Sequence, residues 1–357
     1  MKVVIFTGAG SGKADGAPLQ TELFREFFAR AALLPTRAQL ARDVAGFFEM
    51  TFGIEPPMSD AAAFPTFEES LGVIELALSR EESVLGVGAV PDGRLQHLKR
   101  QLILALAATI TRPSEAGPTH HSKLIQTLRD SELLDDVTFV TTNYDTLLDD
   151  AIELEAIVDA RGTGSLVDYG FAGLVSRDTT EYAERRVLRC YKIHGSLNWL
   201  YCTACDDLHV TYASDGVTRL IDDPDGALCP TCDTPRTPVI VPPSYYKDMS
   251  NVYLGVVWSQ AFRALRGADR VVFCGYSFPD ADMHVKYLMK RAQLNRNREV
   301  QPLGVMLVNH YVDKPANVAD EEYRRFRRFL GEADVEDTQL SFEEFASDPR
   351  VVLERTT

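Results

Sequence analysis

The sequence predicts an α/β fold, a doubly wound parallel sheet with a helical insertion and a small four-cysteine zinc module. Three observations carry this expectation. Short β-branched and aromatic runs alternate with stretches of helical periodicity along most of the chain. Polar clusters follow those runs at their carboxyl ends, where open α/β sheets bind ligands. Two Cys-x-x-Cys pairs interrupt the alternation once. With 45% hydrophobic and 25% charged residues among 357, the composition is that of a folded protein and excludes collagen, coiled coil and disorder.

In chain order, Val3 to Phe6 reads as a strand running into Thr7-Gly8-Ala9-Gly10-Ser11-Gly12, a glycine loop, and Thr21 to Leu34 as the helix after it. From about Arg37 to Thr111 the pattern is helical, with Phe47, Phe48, Phe52, Leu71, Ile74 and Leu78 at helical spacing, so 37–111 reads as an insertion. His121 to Arg129 is a helix, and Val137 to Val140 a strand ending in Thr141-Thr142-Asn143-Tyr144-Asp145. Helical periodicity resumes over Thr146 to Ile157. A strand over Val187 to Ile193 ends in His194-Gly195-Ser196, and a turn-rich segment from Cys202 to Cys232 follows it. Pro238 to Val241 returns to strand character and Val252 to Arg266 to helix. Val271 to Cys274 is a strand ending in Gly275-Tyr276-Ser277, Asp282 to Ala292 a helix, and Gly304 to Val308 a last strand ending at Asn309. The expected organisation is a parallel-sheet domain from 1–36, 112–200 and 237–312, the insertion, a zinc-ribbon module over 201–236, and a tail over 313–357. Arg324, Arg325, Arg327 and Arg328 in that tail read as a solvated helix face.

The formal net charge of −15 repels polyanions, so direct nucleic-acid binding is not expected. The longest apolar stretch, Leu102 to Ile110 interrupted by Thr109, falls far short of the ~20 residues that cross a bilayer, so no membrane span is expected. The N-terminus lacks the apolar core and cleavage site of a secretory signal. Four of the six cysteines form the paired motifs, which suits a metal in a reducing, cytoplasmic compartment better than disulfides.

Glycines permit close backbone approach, and helix-start amides favour phosphate, so Gly8 to Gly12 reads either as a diphosphate cradle or as a tight turn. A phosphate-binding Walker loop is excluded, because Thr7 and Ala14 stand where Gly and Ser or Thr are needed around Gly12-Lys13. A dinucleotide fingerprint for hydride transfer fails too, lacking both the third glycine and the distal acid. Asn143 and Asp145 offer an amide and a carboxylate to sugar hydroxyls, or a cap for the following helix. His194 is either a proton acceptor or a structural histidine. Cys202, Cys205, Cys229 and Cys232 supply four thiolates, and a closed tetrahedral set makes the Zn2+ structural. Cys190 and Cys274, in apolar strands, read as small core residues.

Taken in order, Thr7-Gly8-Ala9-Gly10, Thr141-Thr142-Asn143-Tyr144-Asp145, Lys192-Ile193-His194-Gly195-Ser196, the paired cysteines, Gly275-Tyr276-Ser277 and Asn309 resemble the sirtuin (Sir2) superfamily. The resemblance implies a Rossmann-like domain, NAD+ as bound substrate, and cleavage of the nicotinamide–ribose bond. By position, Gly8, Ala9, Gly10 and Ser11 would approach the diphosphate and Asn143 would orient the ribose or the attacking water. Asp145 would support that loop among the cofactor-binding residues, and His194 would accept a ribose hydroxyl proton. Gly275, Ser277 and Asn309 would serve the phosphate and adenosine side.

The chain departs from sirtuin deacylases where Leu19-Gln20-Thr21 replaces Asp-Phe-Arg after Gly16-Ala17-Pro18, at Thr142, and at Gly12. Pro242 and Pro243 lack the N–H groups that an added peptide strand requires. In these respects the chain resembles the Sir2-like NAD hydrolases of bacterial anti-phage defence. That resemblance implies an NADase giving nicotinamide and ADP-ribose, gated by the insertion, by a homo-oligomeric state or by a partner such as a HerA-type ATPase. The alternatives are a protein deacylase or ADP-ribosyltransferase, and a non-catalytic nucleotide-binding sensor.

Overall fold

The computed structural model describes residues 1–34, 37–56, 60, 63–82, 93–110, 117–158, 166–171, 187–211, 228–241, 251–296, 302–311, 313–331 and 333–355. The chain forms two compact units. One comprises Met1–Gly16, Glu115–Gly195 and Asp248–Thr357, the other Ala17–Ser114 and Ser196–Lys247.

The first unit is built on β1 (Val3–Thr7), β2 (Val137–Thr141), β3 (Leu166–Asp168), β4 (Val187–Lys192), β8 (Arg270–Cys274), β9 (Gly304–Val308) and β10 (Asp334–Asp337). These seven strands lie in the order β10-β9-β8-β1-β2-β4-β3, and every pairing is parallel. Every residue of β1, β2, β8 and β9 is buried, as a parallel sheet covered on both faces requires. The central strand β1 pairs with β2 through Thr7↔Thr141 and with β8 through Thr7↔Cys274. The chain first builds outward from β1 through β2 and later returns to its other side with β8. The switch point, where such sheets hold ligands, therefore lies between the loops that follow β1 and β8. Helix α6 (His120–Asp130) packs on α7 (Leu147–Val158), and α8 (Val252–Gly267) on α9 (Met283–Leu294).

Two features of this unit differ from the sequence expectation. The glycine run is not a loop: α1 (Ala9–Ala14) begins directly after Gly8, and Ser11 and Gly12 are buried within it. The segment from 313 is more than a tail. It supplies α10 (Ala316–Leu330), the edge strand β10, α11 (Phe342–Ser347) and α12 (Arg350–Leu353). Helix ends leave carbonyls without intrahelical donors, and the Arg270 guanidinium meets that need by donating to Val352 O at 2.6 Å and Leu353 O at 2.8 Å. In α10, Arg324, Arg327 and Arg328 are exposed, while the half-buried Arg325 faces the loop after β8.

The second unit holds α2 (Leu23–Ala31), α3 (Ala38–Phe52), α4 (Phe67–Arg80) and α5 (Arg94–Ile110). Helix α5 packs on the other three, and its residues from Leu102 to Ile110 are all buried. The apolar stretch noted in the sequence is thus the centre of a helical bundle. Phe24, Phe28, Phe48 and Phe64 pack ring against ring with centroids 4.6 to 6.4 Å apart, an arrangement that adds to the burial of their area. A capping box between Thr66 and Glu69 starts α4, and Gly53 at φ 66° ends α3. Helix α2, expected beside the sheet, belongs to this unit, as does a three-stranded sheet in the order β6-β5-β7, formed by β5 (Gly195–Cys202), β6 (Asp207–Val210) and β7 (Thr237–Ile240). Among the described residues no helix is long and apolar enough to cross a membrane.

Candidate functional site

The first unit gathers the expected residues at the carboxyl ends of β1, β2, β4, β8 and β9. Gly8 follows β1, Asn143 follows β2, His194 follows β4, Gly275 follows β8 and Asn309 follows β9. The turn after β1 and the loop after β8 are in backbone contact. A Cβ on Gly8 would stand 2.8 Å from Gly275 O, and one on Gly10 2.7 Å from Gly275 Cα. Gly275, at φ +63°, would place a Cβ 2.1 Å from Ser11 N. These glycines are therefore required by the packing of two loops on each other. Gly8 N donates to Cys274 O, Gly10 N to Gly275 O and Ser11 N to Gly8 O, so three of the amides expected to cradle a diphosphate are engaged within the protein.

Asn143 is buried against the same turn. Its Nδ2 donates to Gly8 O at 3.0 Å and to Ser11 Oγ at 3.4 Å, and Ser11 Oγ donates to Gly8 O at 2.8 Å. With the amide nitrogen held this way, the orientation of Oδ1 is set by the planarity of the group. At the other end of α1, the Asp15 carboxylate accepts from His120 N at 2.7 Å and pairs with His121 Nδ1 at 2.5 Å. Burial pushes the Asp15 carboxyl up, but the hydrogen bonds and charge of His121 together with the His120 amide outweigh it and leave the group below its ordinary value.

His194 stands two residues beyond β4, whose pairing Thr141↔Lys192 places it beside the Asn143 loop. The Tyr144 and His194 rings lie 6.2 Å apart, and Trp258 Nε1 donates to Ile193 O at 2.8 Å, fixing the backbone on the amino side of the histidine. His194 Nε2 stands 3.7 Å from Asp282 Oδ1, with both side chains 2% exposed. Tyr276 OH donates to the other oxygen of Asp282 at 2.8 Å.

The loop from Gly275 to Asp282 is held from several sides. Asn309 Oδ1 accepts from Tyr276 N at 3.1 Å while its Nδ2 donates to Tyr276 O at 2.7 Å, so this residue, expected on the adenosine side, staples the loop backbone. Arg325 Nη1 donates to Ser277 O at 3.0 Å. Phe278 sits at φ 52°, a left-handed conformation costly for a bulky side chain, which persists only where the surroundings over-determine it.

Behind Asn143 lies a network the sequence reading missed. The buried Lys192 Nζ donates to Asp145 O and, at 2.8 Å, to Asp149 Oδ2, and Tyr169 OH donates to Asp149 Oδ1. Burial on its own lowers the Lys192 ammonium, yet Asp149 and its neighbours hold it above the ordinary value. Asp145 Oδ1 accepts from Leu147 N at 3.1 Å, so this carboxylate caps the start of α7, and burial pushes its pKa up despite Lys192. A lysine in a strand otherwise fit for burial was the available signal, since a buried ammonium demands a partner.

Asp150 is pushed up to about 6, by burial first and then by Asp149, and its Oδ1 has no hydrogen-bond partner among the described residues. A carboxyl whose folded pKa is raised contributes stability that is fully present below its unfolded value and is lost as pH rises through about 6. Asp150→Asn is therefore expected to raise the thermal midpoint at pH 7.5 and leave it nearly unchanged at pH 4, as paired melting curves would show.

In the second unit the four paired cysteines meet. Their sulfurs all lie within 4.8 Å of one another, with Cys202 and Cys232 3.5 Å and Cys229 and Cys205 3.9 Å apart. Tetrahedral zinc with Zn–S bonds of about 2.3 Å sets sulfurs about 3.8 Å apart, so the donor set fits that ion. Chelation, or Cys229→Ser, is expected to release about one zinc per chain and to lower the unfolding midpoint by several degrees, checked by metal analysis and calorimetry.

The sequence matches the family model of the SIR2-like domain over residues 137–328, and a comparison with curated proteins finds no match. Among solved structures, a Sir2–p53 peptide–NAD+ complex aligns at 14% identity and TM-score 0.45, covering 99% of this chain and 92% of that one. A Sir2 bound to acetylated peptide aligns at 14% identity and TM-score 0.39, with 99% and 92% covered. The family match takes in more than half of the chain, including Asn143, His194 and the loop after β8, and on that ground the chain belongs to the SIR2-like domain family.

Proposed function

We propose that the protein is an NAD+ hydrolase that transfers the ADP-ribosyl group of NAD+ to water. The observation that carries this reading is the juxtaposition of Asn143 and His194 on the ends of neighbouring strands, beside a glycine turn at the sheet's switch point. In the reaction, the bond between C1′ of the ribose and the nicotinamide nitrogen breaks. Its electron pair stays with the departing neutral nicotinamide, and water adds to C1′ while its proton leaves. The cationic ribose of the transition state is stabilised by fixed dipoles in a site closed to bulk water. Asn143, with its nitrogen committed to Gly8 and Ser11, presents Oδ1 to the ribose or the attacking water. His194 accepts a proton from a ribose hydroxyl, which in turn takes up the proton that the water sheds. The diphosphate is expected along Gly8 to Ser11 and the loop at Gly275 and Ser277, where binding exchanges some of the loop-to-loop hydrogen bonds for bonds to phosphate.

The sulfur cluster would hold Zn2+ with all four positions taken, which supplies folding energy to the second unit and leaves no position for substrate. The prolines that argue against peptide capture, Pro242 and Pro243, lie outside the described residues. The test separates the readings directly. Pure protein incubated with NAD+ alone is expected to release equimolar nicotinamide and ADP-ribose. Release only with an acyl-lysine peptide would instead make it a deacylase, transfer to protein an ADP-ribosyltransferase, and binding without release a sensor. We place the activity in bacterial anti-phage defence through NAD depletion. Such an enzyme must be gated, so turnover is expected to change with oligomeric state or on addition of a HerA-type ATPase partner, read by size-exclusion chromatography coupled to the nicotinamide assay.

A further inference from the structure

We infer that Asp282 is the positioning carboxylate of His194, held in turn by Tyr276, and that this dyad sets the tautomer from which the histidine acts; this deepens the hydrolase reading and rests on it. Asp282 occupies the N-cap position of α9 yet makes no side-chain cap hydrogen bond. A carboxylate at an N-cap ordinarily satisfies one of the free amides of the first turn, worth about 1 kcal/mol. Here it is turned inward, with Oδ1 3.7 Å from His194 Nε2 and Oδ2 accepting from Tyr276 OH at 2.8 Å. The departure from the local rule is thus matched by a specific alternative partner.

The approach to Asp282 is built for the same end. Gly275 and Phe278 both adopt left-handed backbone, at φ +63° and 52°, and the loop keeps that conformation because Asn309 grips Tyr276 on both its amide and carbonyl while Arg325 holds Ser277 O. The strain at Phe278 is of the kind that concentrates where a loop must deliver a group to a defined place. Gripping the Tyr276 backbone also fixes the side chain whose hydroxyl orients Asp282.

The chemistry follows from the pairing. With a carboxylate facing Nε2, the neutral imidazole carries its proton on Nε2 and is an acceptor at Nδ1. When Nδ1 takes up a proton in the reaction, Asp282 stabilises the imidazolium without itself becoming protonated, as carboxylates behind catalytic histidines do. At 3.7 Å the two atoms stand farther apart than a hydrogen bond, and catalytic hydrogen bonds are often long until the substrate complex forms and tightens them.

Two measurements on the full zinc-loaded chain test the assignment. In 15N-histidine-labelled protein, with the His194 signal identified by its loss in His194→Ala, the wild type is expected to show a single neutral tautomer protonated on Nε2. In Asp282→Asn, whose amide can donate, the population is expected to move toward Nδ1–H. An unchanged Nε2–H tautomer in both Asp282→Asn and Asp282→Ala would overturn the assignment, and this outcome is readable whether or not the protein turns over NAD+. In the nicotinamide assay, Asp282→Asn is expected to lower kcat at least about 100-fold with KM changed little, and Tyr276→Phe to lower it about three- to tenfold. Adding Asp282→Asn to His194→Ala is expected to cost nothing more, because the carboxylate works through the histidine. Additive losses would refute the dyad. Failure of the wild type to release nicotinamide would sink the hydrolase reading and leave the tautomer measurement to decide the dyad.

Discussion

Lys192→Met is expected to destabilise the protein by roughly 3–5 kcal/mol, because it removes the cation from a buried cluster and leaves carboxylates behind. Lys192 and Asp149 are 1% and 2% exposed and 2.8 Å apart, so neither finds water in place of the other. Asp145 loses the donor to its carbonyl at the same time, which frees the loop that carries Asn143. The expectation has an internal control. Combining Lys192→Met with Asp149→Leu removes both charges, and part of the lost stability is expected to return, since replacing a buried pair with apolar groups is often neutral. Denaturant midpoints of the two single variants and the double variant measure this. A double variant no more stable than Lys192→Met alone would show that packing, and not unpaired charge, is what the lysine supplies.

Asn143→Ala and His194→Ala are each expected to abolish most NAD+ cleavage while leaving zinc content and the folded state intact. Loss of a preorganised dipole costs on the order of 10²–10³ in rate, and loss of a positioned proton acceptor about 10²–10⁴. The two variants differ in how they should fail. Asn143 also ties the turn at Gly8 and Ser11, so its loss is expected to weaken NAD+ binding as well as turnover. His194 is held by groups on the protein side, so its loss is expected to act chiefly on kcat. Single-turnover nicotinamide release and a binding titration separate the two, and full activity in either variant would remove that residue from the site.

Much of the architecture was legible in the residues. The apolar runs at Val3, Val137, Val271 and Gly304 became four neighbouring strands of one sheet, because β-branched stretches of that length between helical segments have few other ways to be buried. The Cys-x-x-Cys pairs became one sulfur cluster, a consequence of thiolate chemistry at fixed spacing. Asn143 and His194 stood out because each follows a strand directly. Other features were hidden. β10 is Asp-Val-Glu-Asp, an edge strand with one apolar residue and no periodicity to detect. The pairing of Lys192 with Asp149 spans 43 positions of sequence.

Local chemistry thus dictated the elements, the strand ends that bear polar groups and the paired cysteines of the sulfur cluster, since each depends on neighbours within a few residues. Which group fills the space beside Gly8 and Gly10, and which carboxylate stands behind His194, depended on loops more than 80 residues apart in the chain meeting at the rim of the sheet. Those choices are made by strand order and backbone approach, which no short window of residues encodes.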